Sequence, residues 1–68
     1  MTKRLRIRAT DTTTGLDVTS EEMLGDAIFA RYHPDNRATA EAHAAELMED
    51  RADFDIPDTI VYTVEDED

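Results

Sequence analysis

The stretch from Thr19 to Ala52 sets the terms for the whole chain. Two segments with helical spacing of apolar residues meet there, at Tyr32-His33-Pro34-Asp35-Asn36. The flanking residues must supply a surface on which both helices bury their apolar stripes. In the first segment Leu24, Ala27, Ile28 and Arg31 share one side, with Met23 and Tyr32 at its margins. In the second, Ala40, Ala44, Leu47, Met48 and the stem of Arg51 follow a helical progression. Thr19 and Glu22 have capping-box spacing, and the early acids suit the positive end of a helix dipole. Gly25 weakens the first helix by up to about 1 kcal/mol relative to Ala, and would let the second helix approach closely. Pro34 ends the first helix by biasing His33 away from helical angles. Asp35 or Asn36 is placed to cap the second.

The flanks read as strands. Lys3 to Thr10 alternates, with Leu5, Ile7 and Ala9 on one face and Arg4, Arg6 and Arg8 on the other. Asp11-Thr12-Thr13-Thr14-Gly15 is a turn, and Leu16 and Val18 flank Asp17 in a short second strand. After the helices, Phe54 and Ile56 are apolar plugs in a loop, and Thr59 to Val64 has strong strand composition. The expected fold is a single α+β domain over residues 1–64, a β-hairpin, two helices and a third strand (ββααβ). Both helices then cover Leu5, Ile7, Ile60, Tyr62 and Val64. Residues 65–68, Glu-Asp-Glu-Asp, are expected to form a mobile acidic tail. A three-stranded sheet keeps an open edge, which suits a homodimer or a host protein.

Size and cysteine count narrow the chemistry. A chain of 68 residues buries only about 60% of its unfolded surface. Having no cysteine, it has no disulfide or thiolate zinc site to offset that. His33 and His43 share no ligand spacing, so no metal and no cofactor is expected. No apolar run of membrane-spanning length occurs, and none follows Lys3 and Arg4 as in a secretory signal. The expected location is the cytoplasm, without membrane contact.

Charge is the loudest signal. The formal net charge is −10, from 7 Lys+Arg against 17 Asp+Glu. Residues 1–8 hold Lys3, Arg4, Arg6 and Arg8 and no acid, +4; residues 9–68 hold the other three bases and all 17 acids, −14. The arginine row is read as a face balanced by the chain's own acids, or as a dimer contact. A surface this acidic repels nucleic acid and attracts a basic partner. Solvent adaptation in a salt-loving or high-GC source is the alternative, because arginine outnumbers lysine six to one.

No nucleophile and base converge in the pattern, so an enzyme is not expected. The favoured function is a small acidic binding protein that docks on a basic protein surface, such as that of a nucleic-acid-binding complex, as a nucleic-acid mimic. In size and acidity it is similar to phage anti-defence proteins of the anti-CRISPR type. The alternative is a host accessory or regulatory domain acting as a dimer. Candidate binding residues are Glu46, Glu49 and Asp50 on one helix face, and Asp53, Asp55 and Asp58 along the following loop. Phe29, on the side of Glu22 and Asp26, either packs under the second helix, the reading preferred, or anchors in a partner's pocket.

Ile28 to Asn36 also resembles the end of the second helix and the loop of a J domain, the cochaperone module that stimulates the ATPase of its heat-shock chaperone. Leu47 to Asp55 echoes that module's acid-Arg-aromatic-Asp ending. The resemblance implies a triplet, His33, Pro34 and Asp35, set between two antiparallel helices and touching the chaperone. The module's first helix and basic second-helix surface have no counterpart here, where Glu21, Glu22 and Asp26 stand instead.

Overall fold

The computed structural model describes residues 4–67. Strand β1 (Arg4–Asp11) is central in a three-stranded antiparallel sheet, between β2 (Leu16–Asp17) and β3 (Ile60–Glu67). From β2 the chain passes through α1 (Glu21–Leu24), a 3₁₀ turn at Gly25–Phe29 and another at Pro34–Asn36. It then enters α2 (Arg37–Glu49) and leaves by a third 3₁₀ turn, Arg51–Phe54. The ββααβ order expected from the sequence is the order observed.

The alternation in β1 decides the core. Leu5, Ile7 and Ala9 are buried, and the register sets Ile7 opposite Val64 and Ala9 opposite Tyr62. Paired residues share a face, so Ile60, Tyr62 and Val64 join them beneath the helices. Leu24 of α1 and Ala40 and Ala44 of α2 close the core from above. The small alanines let α2 lie close to the sheet, and Leu47 and Met48 pack at the margin half-buried. Burial of a large apolar side chain contributes about 1.5–3 kcal/mol, so Leu5, Ile7 and Tyr62, each 2% exposed, are the principal contributors. The hairpin turn forms as its residues dictate. Asp11 Oδ1 accepts the Thr13 N–H at 2.9 Å, and Gly15 takes the positive φ of 75°.

The first helical segment departs from expectation. It is α-helical for four residues only, because Gly25 adopts φ 59° and ψ −138°, a conformation that side-chain-bearing residues avoid. Gly25 therefore stops the helix rather than admitting a neighbour: among the described residues, no atom beyond its own chain neighbours lies within 4 Å of where its Cβ would stand. After Phe29 the backbone is extended, and Tyr32 bridges to Leu5, exchanging hydrogen bonds of 2.8 and 2.9 Å. Pairing with a strand edge outweighs further helix here. The expected stripe survives only in part. Leu24 is buried and Met23, Ala27, Ile28 and Tyr32 pack on the core, whereas Arg31 is exposed.

The capping box does not form. The Thr19 hydroxyl accepts the Ala9 N–H at 3.0 Å and donates to Asp17 at 2.5 Å, so it ties β1 to the chain after β2. Ser20 and Asn36 hold the N-cap positions of α1 and α2 without a side-chain bond. Phe54 is not a plug, at 70% exposed, while Ile56 packs against the core. Phe29, 73% exposed, does not lie under α2.

The C-terminal boundary also moves. The expected tail continues β3 as far as Glu67, with Glu65 opposite Arg6, Asp66 opposite Leu5 and Glu67 opposite Arg4. Cross-strand opposite charges order a segment that composition alone reads as mobile. Asp68 lies outside the described residues.

Candidate functional site

Two charged regions result, and they differ in how their charges are used. On the outer face of the sheet, Arg6 donates to Glu65 Oε1 at 2.6 Å and Arg8 Nη1 approaches Glu65 Oε2 at 3.4 Å. Arg8 Nε lies 3.3 Å from Asp17 Oδ2, and Arg31 pairs with Glu67. Arg8 Nε and Glu67 Oε2 are buried without hydrogen-bond geometry, yet each has this charged partner. Arg37 adds looser pairs with Glu41 at 3.8 Å and Asp66 at 4.0 Å. The hydroxyl and backbone N–H of Thr19 hold the Asp17 carboxyl below its ordinary pKa, with Arg8 and Arg6 adding to the effect. Arg6 and Arg8 of the arginine row are thus balanced by the chain's own acids.

Arg51 is used differently. Its guanidinium donates to the carbonyls of Met48 at 3.0 Å, Asp58 at 2.9 Å and also Ile60. That fastens the end of α2 to the start of β3. Asp55, at φ 57°, turns the intervening loop.

The predicted binding acids stand apart from all of this. Glu46, Glu49, Asp50, Asp53, Asp55 and Asp58 are exposed, and none is ion-paired among the described residues. Phe29 is not with them. It borders a shallow depression with Arg6, Asp17 and Arg31 at the sheet side.

Beside the acidic face lies a feature that helical projection could not reveal. A groove of about 460 Å³ runs between the α1 region and the end of α2. Met23, Leu47, Ile56 and Tyr62 contribute apolar lining, with exposed Phe54 at its side. Glu22, Asp26 and Asp50 supply the charged lining, and among the described residues no basic side chain lines it. The Tyr62 hydroxyl donates to the Met23 carbonyl at 2.6 Å, which fixes one wall against the sheet. Burial pushes the Tyr62 phenol up from its ordinary pKa, with Arg51 opposing. Glu22 and Asp26 were legible as acids, but their place across from Asp50 depends on the break at Gly25.

The His33-Pro34-Asp35 turn has a local role. His33 Nδ1 accepts the Asp35 N–H at 3.1 Å, capping the 3₁₀ turn that Pro34 opens. The turn joins an extended segment to α2, not two antiparallel helices. The adjacent Tyr32 hydroxyl meets His43 Nδ1, with ring planes at 77°. Among the described residues no cluster of His, Cys, Asp or Glu is arranged to hold a metal, and no helix is long and apolar enough to cross a membrane. No family model matches the chain, and no curated protein or solved structure shows significant similarity to it.

Proposed function

We propose that this chain is a small non-enzymatic binding protein whose acidic α2 and loop face docks on a basic surface of a partner protein. One observation carries the reading. Arg6, Arg8, Arg31, Arg37 and Arg51 are engaged with the chain's own acids or carbonyls, while Glu46, Glu49, Asp50, Asp53, Asp55 and Asp58 are exposed and have no ion-pair partner among the described residues. Glu46, Glu49 and Asp50 fall on one side of α2 at helical spacing. Where the partner's basic surface ordinarily holds nucleic acid, the row of carboxylates competes with phosphates for it.

Affinity capture from the native cell at low salt names the partner. The purified partner is then titrated with the wild type and with the combined variant Glu46→Gln, Glu49→Gln, Asp50→Asn. Shape is nearly constant, so a fall of about tenfold, or about 1.4 kcal/mol, reports the charges. The loss falls mostly on the association rate, and the salt dependence shrinks with it. Equal binding at low salt by both forms refutes the reading.

A further inference from the structure

The groove between the α1 region and the end of α2 assigns the partner's chemistry more closely. We infer that it receives a bulky apolar side chain of the partner, carried on a short segment with Arg or Lys on both sides. The inference rests on the acidic-face reading and adds a second element to it.

The cavity of about 460 Å³ falls within the range of pockets that bury a small ligand, about 300–1,000 Å³. Its lining is apolar where Met23, Leu47 and Ile56 come together, and each is only partly covered by the fold. Phe54 beside it is 70% exposed and held on a 3₁₀ turn. A large exposed aromatic flanking an apolar cleft has the character of a binding anchor rather than of a core residue.

The charged lining decides what enters with the apolar group. Glu22, Asp26 and Asp50 have no basic partner among the described residues. An acidic or neutral segment would leave these carboxylates facing like charge or partial desolvation. Guanidinium or ammonium groups flanking the apolar side chain would be attracted to them instead. Asp50 belongs both to this lining and to the Glu46, Glu49 and Asp50 face, so one partner segment engages both.

The test uses three capped pentapeptides at low salt. The first is Arg-Leu-Trp-Arg-Lys, the second replaces Leu-Trp with Gly-Ser, and the third replaces every basic residue with Glu. The chain contains no tryptophan, so indole emission reports the first and third peptides alone, and amide shift titration of the protein compares all three. The expected result is binding of the first peptide with a blue shift, and amide shift changes at Met23, Leu47, Phe54 and Ile56. Binding of the other two should be at least about tenfold weaker. Phe54→Ala, at an exposed position, should keep the melting temperature and weaken the first peptide about fivefold or more. Equal binding of the first two peptides, with Phe54→Ala silent, overturns the groove while leaving the acidic face standing. Equal binding of the first and third overturns the basic character of the occupant. Failure of both basic peptides to bind overturns the groove and the acidic-face reading together.

Discussion

The outer face of the sheet and the groove end of the molecule carry similar numbers of carboxylates but put them to opposite uses. On the sheet, Asp17, Glu65 and Glu67 each meet an arginine, and the resulting network joins β2, β3 and the segment before the His33 turn to β1. At the groove, Glu22, Asp26 and Asp50 face an apolar cleft with no base among its described lining residues. Net charge alone treats these acids as equivalent. Pairing separates them: charge on the sheet is internal structure, whereas charge at the groove is available to a partner. Like charges left together raise the energy of the folded state, so a surface of this kind is carried at some cost in stability.

The comparison rests on a common core, and the largest effect comes from breaking that. Ile7→Ala removes a side chain 2% exposed at the centre of the sheet, at a cost of about 2–5 kcal/mol from transfer and cavity terms. A domain this small has roughly 3–5 kcal/mol in total. Thermal or urea unfolding should therefore find the variant largely unfolded at 25 °C, and both charged regions lost together.

Arg51→Met comes next. It keeps the apolar stem and removes donors to three carbonyls, those of Met48, Asp58 and Ile60. Hydrogen bonds from charged groups contribute about 1.5–3 kcal/mol, and a loss of that order should appear in urea unfolding. Amide exchange should rise first in the loop between α2 and β3. That would loosen the groove before the paired face of the sheet.

Tyr62→Phe sharpens the same contrast. It removes the bond to the Met23 carbonyl and should cost about 1 kcal/mol. Tyr62 also carries a pH dependence. Burial raises the phenol pKa of Tyr62, and that of Tyr32, above the ordinary value of 10.0. The folded state thus favours the neutral phenol. Its contribution is fully present below about pH 10 and is lost as pH rises through the higher folded value. Unfolding followed upward from pH 9 should show an alkaline fall in stability that Tyr62→Phe reduces.

These outcomes separate what was legible in the sequence from what was not. The alternation of Leu5, Ile7 and Ala9 fixes their burial, and the run from Ile60 to Val64 can only be a covered strand. The balance of Arg6 and Arg8 by acids was also readable, since a basic row in so acidic a chain must meet them. The break at Gly25 was not, because a glycine inside a helical pattern is compatible both with a continued helix and with the positive φ of 59° it takes here. Composition marked Glu65 to Glu67 as unstructured, whereas the opposing arginines made them strand. The exposure of Glu46, Glu49 and Asp50 was legible from helical spacing. The groove was not, since it joins residues from Glu22 to Tyr62 across the whole fold.

The smallest stability effect gives the most direct test of the division of charge. Thermal midpoints are compared at low salt for Glu65→Gln and for the combined variant Glu46→Gln, Glu49→Gln, Asp50→Asn. Glu65→Gln breaks the pairs with Arg6 and Arg8 and should lower the midpoint by an amount equivalent to about 0.2–1 kcal/mol. The combined variant removes three like charges that have no ion-pair partner among the described residues and should leave the midpoint unchanged or raise it. A combined variant that melts below the wild type, with Glu65→Gln unaffected, would show that the spare charges are on the sheet and that the helix acids hold the fold together.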